Sequence, residues 1–283
     1  MNITISNDYL SATINANGAE LISLKSTSGT EYIWEGNPDF WGKHSPVLFP
    51  IVGTLKNNEY RFDGKTYSLS RHGFARDLPF SVKETIADSV TFSLASTEET
   101  LRNYPFLFVF EIIYTLEKNS LTIGYRVYNK NKTTMLFSIG AHPAFALPGN
   151  FEDYAIGFGS DESPEYQLLE NDLLSPKTAV LPTKNGQIGL HYSLFENDAL
   201  IFKKLESKSL SILKNENPLL KVHFSNFPHL GIWTKKDAPF LCIEPWYGHS
   251  DAVDSNGELE DKQGIESIAV NSNFETSFRI ETF

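Results

Sequence analysis

The chain has one cysteine, Cys242, in 283 residues, so no internal disulfide can form. That fits a reducing compartment. Basic residues are scarce: Lys+Arg is 24 against 35 for Asp+Glu, a formal charge of −11. A nucleic-acid binder needs a basic face for phosphates, and docking on anionic lipid needs one too. The balance argues against both partners. Long apolar runs are also missing. The most apolar stretch, Pro105 to Tyr114, is interrupted by Glu111 and falls far short of the roughly 18 residues that span a bilayer. The N-terminus, Met1-Asn2-Ile3-Thr4-Ile5, has no basic segment followed by an apolar one, so no signal peptide is expected. The expectation is a cytoplasmic protein with no membrane and no nucleic-acid partner.

Common catalytic signatures are absent as well. There is no G-x-S-x-G, no P-loop and no G-x-G-x-x-G, which sets aside three large enzyme classes. No H-E-x-x-H or Cys-His cluster appears, so no metal is expected. His191, His223, His229 and His249 show no metal-ligand spacing, and His44, after Trp41-Gly42-Lys43, reads as a rim residue. Asp251, Asp254, Asn256 and Glu258 fail the EF-hand spacing and read as a solvated loop. Cys242 lies in an apolar run and reads as a small buried hydrophobe. No linker, charge block or internal repeat divides the chain, so residues 1–283 read as one domain.

What the chain does have is strand-forming material. Aromatics reach 13%, and rings suit pleated, half-buried surfaces. Tyr60-Arg61-Phe62 and Lys65 to Leu69 flank Asp63-Gly64, a strong hairpin signal. Phe106 to Glu117 and Leu121 to Asn129 flank Lys118-Asn119-Ser120, a second hairpin. Further runs are Val90–Leu94, Met135–Ile139, Ala199–Lys203, Leu210–Leu213, Leu219–Phe224, Leu230–Thr234, Phe240–Glu244 and Phe274–Glu281. Helix signals are few. Ser96-Thr97-Glu98-Glu99 resembles a capping box and Pro105 would stop the helix that it opens, so one short helix is expected there. Asn37 to Gly42 reads as a turn. The pattern predicts an all-β chain, a sandwich or barrel.

Three segments carry chemistry. Arg71-His72-Gly73-Phe74-Ala75-Arg76 sets two guanidiniums and an imidazole around a glycine. Arginines can grip hydroxyls or anions through fixed donors. The plainer reading is a surface turn with ion pairs. Gly140-Ala141-His142-Pro143-Ala144-Phe145 holds a histidine at a strand end. Its ordinary pKa of about 6.5 lets it exchange a proton near neutrality. The plainer reading is a buried histidine with a backbone partner. Phe240-Leu241-Cys242-Ile243-Glu244-Pro245-Trp246-Tyr247 ends an apolar run with a carboxylate. Burial raises a carboxylate pKa toward neutrality, which suits a general base. The rings of Trp246 and Tyr247 suit stacking on a sugar. The plainer reading is a structural glutamate bonded to backbone amides.

Taken in order with Leu48-Phe49-Pro50-Ile51-Val52-Gly53 and Asn197-Asp198-Ala199-Leu200-Ile201-Phe202, these segments resemble the aldose 1-epimerase (galactose mutarotase-like) superfamily, nearest its LacX-type branch. The likeness runs from about Gly18 to the C-terminus. It implies a large antiparallel β-sandwich with a sugar cleft on one sheet. It also implies interconversion of α and β anomers of a free aldose, with no cofactor and a small sugar as partner. By motif position Glu244 resembles the general base and His142 the general acid. His72 resembles the second active-site histidine, and Asp198, by a looser alignment, the residue that fixes sugar hydroxyls. Many relatives carry an arginine after the glycine at Gly53, where this chain has Thr54. Arg71, Arg76 or Lys56 are the candidates to replace that charge. Arg71 and Arg76 also keep open a related branch acting on hexose 6-phosphates. A sugar-binding protein without turnover, and a glycoside hydrolase pairing Glu244 with Asp198, are further alternatives. Monomer and homodimer are both open.

Overall fold

Strands Phe108–Glu117 and Ser120–Asn129 alternate between buried and partly exposed residues and pair antiparallel without a register shift. Glu117 pairs with Ser120, so the loop is Lys118-Asn119 alone; Ser120 belongs to the strand and not to the turn the sequence suggested. Lys118 takes φ 51°. Asp63 and Gly64, at φ 50° and 69°, close the predicted hairpin of Glu59–Phe62 with Lys65–Ser68, as a tight turn needing two positive φ values requires. The computed structural model describes all 283 residues, Met1–Phe283.

Two large antiparallel sheets arise from such pairings. The nine-stranded sheet runs Gln187–Gly189, Tyr154–Phe158, Ser209–Lys214, Asn217–His223, Asn273–Thr282, Ser120–Asn129, Phe108–Glu117, Ser89–Ala95, Ser81–Thr85. The eight-stranded sheet runs Leu173–Val180, Glu165–Glu170, Leu200–Phe202, His229–Trp233, Phe240–Tyr247, Ile139–Ala141, Val47–Leu48, and Ala144–Ala146 also pairs with Phe240–Tyr247. Asn2–Ser6, Leu10–Asn15 and Glu20–Ser26 form a small third sheet. Phe110, Ile112, Tyr125, Phe278 and Ile280 of the first sheet share one buried cluster of 61 residues with Leu230, Ile232, Leu241 and Ile243 of the second. The expected all-β sandwich is what the chain forms.

Local expectations need two further adjustments. The capping box sits one residue later than expected. Thr97 and Thr100 cap each other, with Thr100 N–H to Thr97 Oγ1 at 3.2 Å and Thr97 N–H to Thr100 Oγ1 at 2.8 Å. The helix Glu98–Asn103 then stops where Tyr104, before Pro105, turns extended at φ −147°, because the proline ring disfavours helical geometry one residue upstream. The run Met135–Ile139 splits. Met135–Phe137 pairs with Glu266–Ile268, while Ile139–Ala141 enters the eight-stranded sheet. Asn37 to Gly42 is a turn, as expected, with Phe40 and Trp41 N–H both donating to Asn37 O. No helix is long and apolar enough to cross a membrane.

Candidate active site

Strand Phe240–Tyr247 lies inside its sheet and both its faces are covered. Side chains alternate across a strand, so Leu241 and Ile243 point into the sandwich core. Cys242, Glu244 and Trp246 take the other face, where a cleft of about 510 Å³ opens. Gly231 pairs with Glu244 on one side. On the other, Ile139–Ala141 and Ala144–Ala146 both pair with the same strand and leave His142-Pro143 between them. The register that sets Ala144 opposite Cys242 brings His142 opposite Glu244.

The two side chains meet. His142 Nε2 lies 3.2 Å from Glu244 Oε2, yet the approach is too oblique for a hydrogen bond, and Glu244 Oε2 and His142 Nδ1 both lack partners. Glu244 is 1% and His142 8% exposed. Burial holds the Glu244 carboxyl well above its ordinary range, with Asp198 pushing the same way and Arg71 against it. Burial lowers the His142 pKa to about 3, and the nearby Arg71 and Arg76 add to the effect.

His72 faces His142 edge-on, with ring centroids 5.7 Å apart. The Gly53 N–H donates to His72 Nδ1 at 3.1 Å, and Arg71 Nε lies 3.3 Å from its Nε2. A neutral imidazole accepts at one nitrogen only. The Gly53 amide is held in the backbone while Arg71 is half-exposed, so we assign the proton to Nε2, from which the Arg71 guanidinium then has to turn away. Burial, then His142, Arg71 and Arg76, keep the His72 pKa well down. His72 and Gly73 both adopt left-handed backbone, φ 68° and 71°. A Cβ at Gly73 would sit 2.4 Å from the Phe49 carbonyl oxygen, so the turn tolerates only glycine there.

Trp246 forms the floor, its indole N–H donating to Ala141 O at 3.2 Å. Asp198, at φ 79°, accepts its neighbour Ala199 N–H at 2.7 Å. Arg71 pairs with Asp172 at 3.1 Å, and Arg76 Nη2 donates to the Arg71 carbonyl at 2.8 Å. Arg76 Nε is buried with no hydrogen bond, Asp77 lying 3.7 Å away.

All seven residues singled out in the sequence, Glu244, His142, His72, Asp198, Arg71, Arg76 and Trp246, line this one cleft. Of the three candidates for the charge missing at Thr54, Arg71 and Arg76 are there. Lys56 is not; its ammonium donates to Ser255 O at 3.2 Å. His44 does not line the cleft either. It packs over Gly36 and lies 3.8 Å from Glu20. Asp251 departs from the solvated-loop expectation. It is buried and paired with Lys262 at 2.8 Å, while Asp254 and Asn256 are exposed. His229 and His249 lie edge to face at 5.0 Å, but Gly248 N–H donates to His229 Nδ1 and the Ser250 carbonyl bonds His249 Nδ1.

Sequence reasoning missed Trp41, Trp233, Lys235, Lys236 and Ser250 in the lining. Trp41 stacks on His142 at 4.8 Å and 27°. Trp233 could have been found, since Leu230 and Ile232 point to the core and Trp233 must take the opposite face. Trp41 carried no local signal, because it comes from an irregular turn.

Comparison with known proteins agrees with this fold. The sequence model of the aldose 1-epimerase family matches residues 1–264. The chain belongs to the aldose 1-epimerase family, with an epimerase-type, mutarotase-like fold. It is 35% identical to the chromosomal LacX protein of Lactococcus lactis subsp. lactis, over 95% of each chain. A galactose mutarotase related enzyme from Lactobacillus acidophilus superposes with TM-score 0.96 at 37% identity, covering 100% of this chain and 97% of its own. A galactose mutarotase-like protein from Lactobacillus casei ATCC 334 gives 0.93 at 29% identity over the whole of both chains.

Proposed function

We propose that this chain is a cofactor-independent cytoplasmic aldose 1-epimerase, one domain that interconverts the α and β anomers of a hexose or related aldose. The observation that carries the reading is the Glu244–His142 pair, 3.2 Å apart, unbonded to each other and buried in the cleft. In ring opening the Glu244 carboxylate takes the C1 hydroxyl proton. His142, as imidazolium, gives its proton to the ring oxygen, and the C1–O5 bond breaks to leave an aldehyde. Rotation about C1–C2 and the reverse transfers close the ring on either face.

The pair begins as carboxylate and imidazolium and ends as two neutral groups, holding one proton throughout. Its dry surroundings favour the neutral form, which accompanies the open-chain sugar. Arg71 favours the carboxylate, which the cyclic sugar needs. His72 Nε2–H donates toward the ring oxygen, Asp198 takes sugar hydroxyls, and Trp246 supplies a flat face. Each positioned acid or base contributes about 10²–10⁴-fold.

One observation supports a second substrate branch. Arg71, Arg76, Lys235 and Lys236 gather at the cleft of a chain with a net charge of −11. Local charge of that sign suits an aldose bearing a phosphate.

The test is polarimetry on fresh α-glucose, α-galactose and glucose 6-phosphate, with wild type and Glu244→Gln. Accelerated mutarotation lost in Glu244→Gln supports the reading, and the highest kcat/KM among the three identifies the branch. Tight sugar binding with no acceleration overturns it in favour of a binding protein.

A further inference from the structure

Cys242 is not used by the chemistry above, yet it lies beside it. It is fully buried on the same strand face as Glu244, two residues away. A ring nitrogen of His142, the Cys242 sulfur and a Glu244 oxygen all lie within 4.8 Å of one another. Two of these groups carry buried atoms with no hydrogen-bond partner, Glu244 Oε2 and His142 Nδ1. Nitrogen, sulfur and oxygen donors therefore converge from two neighbouring stretches of one sheet, with His142 and Glu244 lining the cleft and Cys242 buried behind them.

We propose that His142, Cys242 and Glu244 form an inhibitory site for a thiophilic divalent cation, zinc being the type. Zinc bonds sulfur at about 2.3 Å, and nitrogen and carboxylate oxygen at about 2.0–2.2 Å. Tetrahedral donors at those lengths stand roughly 3.4–3.6 Å apart. The His142–Glu244 separation of 3.2 Å is already close to that. Three protein ligands plus a fourth position open to the cleft is the arrangement a water or sugar hydroxyl would complete.

The charges of the ligand set match those of the cation. Zinc with one thiolate and one carboxylate is neutral overall, which suits a floor that penalises net charge. The thiol must lose its proton to solvent, and Glu244 must lose its proton wherever it holds one. Binding therefore releases one to two protons and strengthens as pH rises. Magnesium and calcium, which demand oxygen ligands in greater number, do not fit. Sequence spacing gives no sign of such a site, because its ligands are not all close along the chain and converge only across a strand pair.

Bound metal would occupy the proposed base and acid together and stop turnover. The coordination claim rests on the side-chain geometry alone; only its inhibitory effect rests on the epimerase reading.

The experiment is a titration with Co²⁺ at pH 7.5, followed by thiolate-to-cobalt absorption in the near ultraviolet and by displacement with Zn²⁺. Wild type is expected to develop the band, and Cys242→Ala and Cys242→Val to lack it. Both variants are checked for an intact melting transition, valine guarding against collapse of the void left by alanine. In parallel, Zn²⁺ should inhibit wild-type mutarotation, with substrate protecting. Cys242→Ala should keep its turnover and need at least about tenfold more Zn²⁺, the lower end of what losing even an outer partner costs a metal site. No thiolate band, or unchanged zinc sensitivity in folded Cys242→Ala, overturns the proposal. If wild type shows no mutarotase activity the epimerase reading falls, and the cobalt spectrum still decides the metal site.

Discussion

Trp41 lies over His142 nearly parallel to it, with ring centroids 4.8 Å apart. Trp233 meets the same imidazole edge-on at 5.9 Å. Together these rings keep water from the proposed acid, and burial is the leading cause of its low pKa. Trp41→Ala should therefore raise the His142 pKa from about 3 toward its ordinary value. An NMR titration of the histidine ring would show this. An unmoved titration would mean that the backbone around His142 sets the shift.

Gly231 makes room for the floor. A Cβ at this position would lie 2.4 Å from the Trp246 indole, and the ring already rests against Gly140 on the next strand at 2.5 Å by the same measure. Gly231→Ala should displace the indole, raise KM for sugar several-fold, and cost about 1–3 kcal/mol of stability, as overpacking does. Denaturant unfolding and sugar-induced tryptophan fluorescence would read both effects.

Asp251 and Lys262 form a buried ion pair at 2.8 Å. Asp251 Oδ2 also accepts the Lys56 amide, and its own N–H donates to Thr54 O. Ser250 Oγ accepts the Thr54 amide at 3.0 Å. This network braces the turn whose Gly53 N–H fixes the His72 ring. Lys262→Met leaves a buried carboxylate alone and should cost about 3–5 kcal/mol. Asp251→Leu with Lys262→Met should cost less, because no charge is stranded. Chemical denaturation of the single and double variants gives the comparison.

Stability should fall on mild acidification. Burial lowers His142 and His249 to about 3 and His229 to about 4. Unfolded, each titrates near 6.5. Between those values the unfolded chain binds more protons, so stability drops as pH falls through about 6.5 toward 4. Glu244 works in the opposite sense, since its raised pKa removes stability as pH rises past its unfolded value. His249→Gln should flatten the acid limb of a Tm-against-pH curve. An unchanged slope would show that other groups carry it.

The fold was legible where periodicity was strong. Phe108 to Asn129 alternates along two whole strands, and the Asp63-Gly64 turn announces its own hairpin. The run Met135–Ile139 misled because an apolar stretch does not say which sheet takes each half. At the site, His142 and Glu244 stood out because each ends an apolar run. Their contact was not readable, since it depends on the register that sets Ala144 against Cys242. Asp251 looked solvated because its partner lies eleven residues away in a loop, beyond any local pattern.

The strand Phe240–Tyr247 holds core and cleft back to back, Ile243 inward and Glu244 outward. A slip of one residue exchanges the two faces of a strand. Glu244 would then enter the apolar interior with no partner, and Ile243 would stand in the cleft. Large penalties attach to a lone buried carboxylate. The carboxylate proposed for catalysis is therefore also a register mark. It discourages the mispaired sheet during folding, so Glu244→Leu should remove that safeguard together with activity, and its refolding yield should fall.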